Sequence, residues 1–479
     1  MNWLDALTKF WPHLVAGLTL LAALLAATHA VLHKRDSRAA VLWLGFIWLL
    51  PLLGPILYLA LGVNRIRRRA LKLGVQSAGA RPAIPEDMGE PQRGEAEHLR
   101  MLARAVERVV SRPLTAGNRF QVLVNGDEAF PAMLAAIESA QTSLTLCTYI
   151  FDNDRSGRQF AAALARAVAR GVAVRVLIDA AGTHYSFPSI TRQLKRARVP
   201  VARFLPLITR WRPHPLNLRN HRKLLVADGR VAFTGGINLR HGNVLAEQPR
   251  RPVRDLHFRA EGPLVAQLQE AFALDWEFCT GEILDGETWF PKLTEAGGTV
   301  ARAIADGPDA DFEKLRWTLL AALAEAQTSV QIVTPYFLPD PALVSALNLA
   351  ALRGVRVEIL LPAKNNLPFV HWASRAMWWQ VLERGCRLWL TPPPFDHSKL
   401  LIVDGHWVLL GSANWDARSL RLNFELNVEA YGREFAQAMQ AVVEDKRRGA
   451  REITLAEADG RPFPARLRDA VARLFSPFL

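Results

Sequence analysis

Two apolar runs open the chain. Residues 14–32 carry His29 as their single titratable group, and residues 39–62 carry no charge at all. At about 1.5 Å per helical residue the first run reaches roughly 28 Å, enough to span a bilayer core. The second is longer and is the stronger candidate, with Pro51 and Pro55 inside it, since membrane helices tolerate proline where neighbouring helices satisfy the freed backbone groups. The pattern predicts a transmembrane helical hairpin over residues 1–64. A cleaved signal peptide is the alternative for the first run, but Ala27-Thr28-His29-Ala30 is a poor cleavage site and a second apolar run follows directly. Residues 65–112 read as a basic juxtamembrane linker entering a short helix. Arg65, Arg67, Arg68, Arg69 and Lys72 form the larger positive cluster, so the remainder is expected on the cytoplasmic side of the membrane, leaving Lys34, Arg35 and Arg38 outside.

Beyond residue 112 helical and strand-like periods alternate, and the chain repeats itself. Ala140-Gln141-Thr142-Ser143 recurs as Ala326-Gln327-Thr328-Ser329, each after an alanine-rich helical pattern and before a β-rich run. Arg170-Gly171-Val172 and Arg353-Gly354-Val355 each end a helix at glycine and begin a buried strand. A period near 180 residues is too long for a solenoid and indicates duplication. The expectation is an α/β fold of two tandem units, residues 113–297 and 298–460, each with its own mixed sheet flanked by helices, followed by an amphipathic helix over 461–479.

Composition narrows the function. Lys plus Arg is 59 against 45 for Asp plus Glu, a net charge of +14 in 479 residues, which favours a polyanionic partner such as an anionic bilayer, nucleic acid or a phosphorylated substrate. Cys147, Cys279 and Cys386 are too few and too widely spaced for a disulfide framework or a four-cysteine zinc site.

A third internal match carries the chemistry. Asn220-His221-Arg222-Lys223 precedes Asp228 and Gly235-Gly236-Ile237-Asn238; Asp396-His397-Ser398-Lys399 precedes Asp404 and Gly411-Ser412-Ala413-Asn414 at identical offsets. Residues i and i+2 of a strand share a face, so each His and Lys point together, and the Asn arrives from the next strand. Two imidazoles, two ammonium groups and two amides converging in one cleft suit a phosphodiester: Lys and Asn grip the oxygens while one His attacks and the other donates a proton. Asp228 and Asp404 complete the repeated motif and are counted with the candidate catalytic residues, although five residues beyond the Lys, beside a glycine, favours a structural task for both. Ser412 faces Gly236 across the repeat, so a hydroxyl contact is available there only once.

The doubled His-x-Lys followed by four residues and Asp resembles the phospholipase D superfamily, over roughly residues 113–460. The N-terminal apolar pair, Asn217-Leu218-Arg219-Asn220-His221, Thr334-Pro335-Tyr336-Phe337 and Arg418-Ser419-Leu420-Arg421-Leu422-Asn423-Phe424-Glu425 are similar, within it, to the bacterial cardiolipin synthases. The resemblance implies a phosphatidyl-histidine intermediate: phosphatidylglycerol is attacked, glycerol leaves, and the hydroxyl of a second phosphatidylglycerol takes the phosphatidyl group, without metal or other cofactor. It also implies His221 and His397 as nucleophile and general acid/base, with His221 taken as the nucleophile. Lys223, Lys399, Asn238 and Asn414 would hold phosphate oxygens. Asp255 and Glu425 occupy the places of the family's acidic residues that orient a histidine. Arg219, Arg222, Ser412 and Tyr336 are further candidates for substrate contact.

Alternatives stay open at this point. A phospholipase D-type hydrolase would use water as acceptor; a nucleic-acid phosphodiesterase is disfavoured by the membrane tether; a non-catalytic scaffold for anionic lipid is disfavoured by two intact motifs. Arg210, Trp211, Arg212 and His214 crowd the approach to His221 and suit an anionic lipid or nucleic acid. Phe369, Trp372, Trp378 and Trp379 are divided between lipid contact and core. Nothing in the motif demands an oligomer, since one chain holds both halves.

Overall fold

The computed structural model describes residues 3–34, 37–62, 97–205, 208–209, 212–213, 218–308 and 311–476. The basic cluster at 65–72 and the linker up to residue 96 lie outside them, as do the side chains of Arg210, Trp211, Arg212 and His214. The chain divides into two compact units, residues 1–69 with 207–217, and the rest.

In the first unit α1 (Trp3–His33) packs against α2 (Ser37–Leu49) through Ala23, Ala26, Ala27, Ala30 and Ile47. Alanines on one face let the two backbones approach closely. Only Phe10–His33 is long and apolar enough to cross a membrane, among the described residues. The second apolar run, expected as one long span, is broken. Its helix stops at Leu49, turns at residues 50–52, and continues as α3 (Leu53–Leu57) and a π-helical turn, Tyr58–Gly62. Proline has no N–H and clashes with the preceding turn, so Pro51 ends α2 where an aliphatic residue would have extended it. Gly54 then rests on α2 so closely that a Cβ would meet the Ile47 Cα at 2.6 Å.

In the second unit each repeat builds a half-sheet of the same design. The first repeat orders its strands Thr115–Val124, Leu256–Glu261, Val231–Gly235, Leu224–Ala227, Ser143–Thr148, Ala173–Asp179, Val201–Phe204. The second runs Thr299–Asp306, Asn423–Tyr431, Trp407–Gly411, Leu400–Val403, Ser329–Val333, Arg356–Pro362, Arg387–Thr391, Arg451–Ile453. The expectation of two separate sheets is corrected here. The first strand of each repeat would be an open edge, and the two edges satisfy one another, antiparallel, at Thr115↔Ala301 and Asn118↔Thr299, giving among the described residues one sheet of 16 strands, the last being the short Arg219–Asn220 that pairs with Asn423–Phe424. Next to this seam the Arg302 guanidinium, fully buried, donates to Glu429 Oε1 (2.6 Å), Arg112 O (2.9 Å) and Ala103 O (3.0 Å). Glu429 Oε2 accepts from Trp407 Nε1 and Tyr431 Oη, both at 3.0 Å. A buried ion pair is tolerable only when its remaining valences are filled in this way.

Helix Leu99–Val110 is strongly amphipathic. It places Leu99, Leu102 and Val106 in the core of the second repeat, against Leu315 and Leu319 of helix Lys314–Glu325, although it precedes the first in sequence. The first repeat has its own core around Phe130, Phe160, Ile178 and Phe233.

Candidate active site

His221 follows the short strand Arg219–Asn220, which runs parallel to Asn423–Phe424 of the second repeat. His397 follows Phe395–Asp396, parallel to Val253–Arg254 of the first. Each motif is therefore stitched to the opposite repeat. The His221 N–H donates to Phe424 O (2.8 Å) and the His397 N–H to Arg254 O (2.7 Å). The next residue along each partner strand is the acid. His221 Nδ1 donates to Glu425 (3.0 and 3.1 Å to its two oxygens), and His397 Nδ1 to Asp255 Oδ2 at 2.7 Å. With Nδ1 so engaged, the His221 imidazole keeps its Nε2 lone pair for chemistry. The rings meet edge to face, centroids 6.5 Å apart and planes at 82°.

The carboxylates are themselves fixed. Glu425 accepts from Ser412 Oγ (2.5 Å) and Asn423 Nδ2 (3.1 Å), and Asp255 Oδ1 accepts from the Leu256 N–H (2.8 Å). Gly236 stands where the second repeat has Ser412, and a Cβ there would lie 2.2 Å from Asp255 Oδ1. The glycine makes room for the carboxylate that Ser412 grips by hydrogen bond in the other half.

Burial dominates the electrostatics. It pushes the Lys223 ammonium down to about 7, with Glu425 opposing and Lys399 assisting, and the Lys399 ammonium down to about 8. Burial also lowers His397 to about 4, helped by the charge of Lys399, whose Nζ lies 2.8 Å from Nδ1, and opposed by Asp255. His221 is lowered by burial against the pull of Glu425. Burial would raise Glu425, but His221 and Lys223 outweigh it and hold the carboxylate below its usual range. The ground-state site thus holds neutral imidazoles, an ionised Glu425 and two ammonium groups that lose their protons unusually easily.

A cleft of about 900 Å³ contains His221, His397, Asn238, Asn414, Asp255, Arg219 and Tyr336. Its wall includes Tyr149, whose ring packs 5.2 Å from that of His221, and Tyr336 and Phe395, at 6.1 and 5.8 Å from that of His397. Lys223 and Lys399 sit just beneath, donating to the carbonyls of His221 (2.5 Å) and His397 respectively. Four expected site residues lie elsewhere. Between the strands Arg219–Asn220 and Leu224–Ala227, Arg222 points away from His221, where its buried guanidinium pairs with Asp275 (2.8 Å) and donates to Glu425 O (3.1 Å), so it braces the two repeats and does not line the cleft. Ser412 spends its hydroxyl on Glu425 and is fully buried. Asp228, in the left-handed region at φ 51°, accepts from the backbone N–H groups of Gln141, Thr142 and Ser143. Asp404 does the same for Gln327, Thr328 and Ser329. Both aspartates close turns away from the cleft.

Other contributors were not singled out from the sequence. Arg240, Arg251 and Arg418 line the cleft with Arg219. Asn220 and Asp396, one residue before each His, accept from the backbone N–H two residues on (3.1 and 3.0 Å), setting the bend that aims the imidazole. Their equal offset in both copies was the available signal. Among the described residues no group of three or more His, Cys, Asp or Glu is arranged as metal ligands.

Paired His-x-Lys motifs meeting across a pseudo-symmetric sheet define an enzyme of the phospholipase D type. Residues 133–276 and 319–446 match the family described as "Cardiolipin synthase, PLD-like domain", and residues 21–62 match "Phospholipase_D-nuclease N-terminal". The chain is 33% identical over 473 residues to cardiolipin synthase A of Pseudomonas putida (strain GB-1), covering 97% of each. It is 32% identical over 453 residues to the cardiolipin synthase of Geobacillus thermodenitrificans (strain NG80-2), covering 94% of this chain and 90% of that one. The protein belongs to the cardiolipin synthase family. In fold it is similar to the phosphatidylserine synthase of Haemophilus influenzae Rd KW20, at a TM-score of 0.59 and 16% identity, over 79% of this chain and 100% of that one.

The Asp255 contact yields a prediction. Gly236→Ala will displace the Asp255 carboxylate from His397 while leaving the fold intact, because the backbone there is not in a glycine-only conformation. An ångström-scale misplacement corresponds to about a 100-fold loss of turnover, to be read against unchanged circular dichroism and melting temperature.

Proposed function

We propose that this enzyme makes cardiolipin from two molecules of phosphatidylglycerol, releasing glycerol, through a phosphatidyl-histidine intermediate. The carrying observation is the pair of imidazoles 6.5 Å apart, each held by a carboxylate of the opposite repeat. The names of the relatives supply the substrate class. In this reading His221 Nε2 attacks phosphorus, the bond to the glycerol oxygen breaks, and His397 gives that oxygen a proton. A hydroxyl of the second lipid then attacks phosphorus and returns a proton to His397, and the phosphorus–nitrogen bond breaks to restore His221. An anionic phosphate between the rings raises His397 toward its protonated form, which lets a histidine that is neutral in the empty site act as the acid. Lys223, Lys399, Asn238 and Asn414 stabilise the oxygens on which charge develops. Arg219, Arg240, Arg251 and Arg418 favour an acceptor that is itself anionic, and thus a lipid over water. We place the site on the cytoplasmic side of the inner membrane, as the basic residues that follow the apolar segment favour.

The test is mass spectrometry of lipids from phosphatidylglycerol liposomes. Cardiolipin and free glycerol are expected with the wild type, and neither with His221→Ala or His397→Ala. Phosphatidic acid as the main product would make water the acceptor, and full activity in both mutants would overturn the mechanism.

A pH dependence follows from the lysines. In the free enzyme both ammonium groups lose protons as pH rises through 7 to 8, so capture of the anionic head group weakens. Bound phosphate holds the protons on. Between pH 7 and 9, kcat/KM should therefore fall more steeply than kcat; a flat or rising kcat/KM would contradict this assignment.

A further inference from the structure

The C-terminal helix, Phe463–Arg473, is inside out for a soluble domain. Its buried positions are Asp469 and Ala472. Asp469 is fully enclosed by arginines, accepting from Arg468 Nε (2.9 Å) and Arg461, with Arg375 Nε at 3.6 Å. Its apolar stripe faces outward: Phe463, Leu467, Val471 and, in the turn beyond, Leu474 and Phe475 are 46 to 73% exposed. Spacings of four, four and three residues put them on one side of the helix. The helix packs against helix Pro368–Arg375, where Phe475 meets Phe369 at 5.5 Å and Ala472 joins Val370, Ala373 and Tyr336 in a small apolar cluster. Leu367 and Phe369 extend the exposed patch, while Leu367 and Val370 also line the catalytic cleft. The apolar surface is thus continuous from the outer face of the C-terminal helix to the rim of the site. Arg466, Arg468 and Arg473 lie on the same helix, and Arg468 stacks over Trp372 at 4.5 Å.

We propose that these two helices form a lip that sits in the bilayer interface beside the cleft, so that a phospholipid keeps its acyl chains in the membrane while its head group enters. An exposed apolar stripe flanked by arginines fits an anionic lipid surface. This rests on the reading of the substrate as a phospholipid. The test uses the full-length chain in phosphatidylglycerol liposomes, with a bimane label on Val471→Cys in a Cys279→Ser background. Quenching by bromine on the lipid tails, with protection from aqueous iodide, is expected. Leu467→Asp combined with Val471→Asp should slow turnover of bilayer phosphatidylglycerol about 10-fold and leave turnover of a short-chain, water-soluble phosphatidylglycerol unchanged. Iodide quenching without bromolipid quenching, or equal loss on both substrates, would overturn the lip, as would a label shielded by a second copy of the chain in the absence of lipid. Were the wild type inactive on phosphatidylglycerol in either form, the substrate reading would fail while the quenching still reported the lip.

A different observation bears on the membrane unit. A continuous helix over residues 39–62 would put its ends about 35 Å apart. Instead Lys34 Nζ donates to Gly62 O at 2.6 Å, and His29 Nδ1 lies 2.8 Å from Tyr58 Oη. The chain returns to the level at which α2 began. We infer that α1 alone crosses the bilayer and that α2 and α3 form a re-entrant hairpin. The Lys34 end of α1 and the Gly62 end of the hairpin then share one membrane face, which removes the conflict with the charge rule that two spans create. Thr8→Cys, Ser37→Cys and Asn64→Cys, probed with an impermeant maleimide in sealed vesicles of one orientation, decide it. Ser37→Cys and Asn64→Cys should react from one side and Thr8→Cys from the other. Thr8→Cys and Asn64→Cys reacting together, opposite Ser37→Cys, would restore two spans and overturn the hairpin.

Discussion

Each histidine takes its orientation from a carboxylate on the other repeat, and the rest of the catalytic unit serves that exchange. A neutral imidazole has one donor and one acceptor, so anchoring Nδ1 decides both which nitrogen faces the cleft and in which state. The anchors, Glu425 and Asp255, come one residue after backbone carbonyls that hold the opposite histidines by their N–H groups. One short parallel pairing therefore sets main chain and side chain together. Neither repeat contains a complete site by itself, which gives a physical reason for the merged sheet and for the burial of Arg222 and Arg302 near the junction between repeats.

Burial then makes the site reactive. Lys223 and Lys399 are nearly inaccessible, and removing them from water lowers their hold on a proton to about 7 and about 8, with Glu425 and Asp255 opposing. The same desolvation favours the neutral form of both imidazoles. Each histidine thus sits between a lysine and a carboxylate.

The first unit and the C-terminal helix are built on other rules. In the first unit small residues allow helices to pack without a hydrophobic driving force, and Pro51 turns the second apolar segment back on itself. At the C-terminal helix the usual arrangement is reversed, with an aspartate inside among arginines and leucine, valine and phenylalanine outside.

Much of this could be read from residue order alone. Duplication, the helix–strand alternation and the His, Lys and Asn offsets are local patterns, and spacing on a strand or a helix dictates which side chains share a face; the acids at 255 and 425 were indicated by the family resemblance alone. That Asp228 and Asp404 suited a structural task also followed from position, since both stand at a strand end next to glycine. Partnership across the repeats did not follow, because no local rule states which half an acid will meet. Arg222 was counted with the substrate contacts, although the same i, i+2 rule that puts His221 and Lys223 on one face sends it to the other, where Asp275 takes its charge. The second apolar run had the composition of a span, yet its path was decided by where Pro51 let α3 turn and by the close approach of Gly54 to Ile47. Periodicity determined the elements and the chemical groups they carry; only tertiary packing decided which groups face each other, because that depends on contacts between residues some 140 to 200 positions apart in the chain.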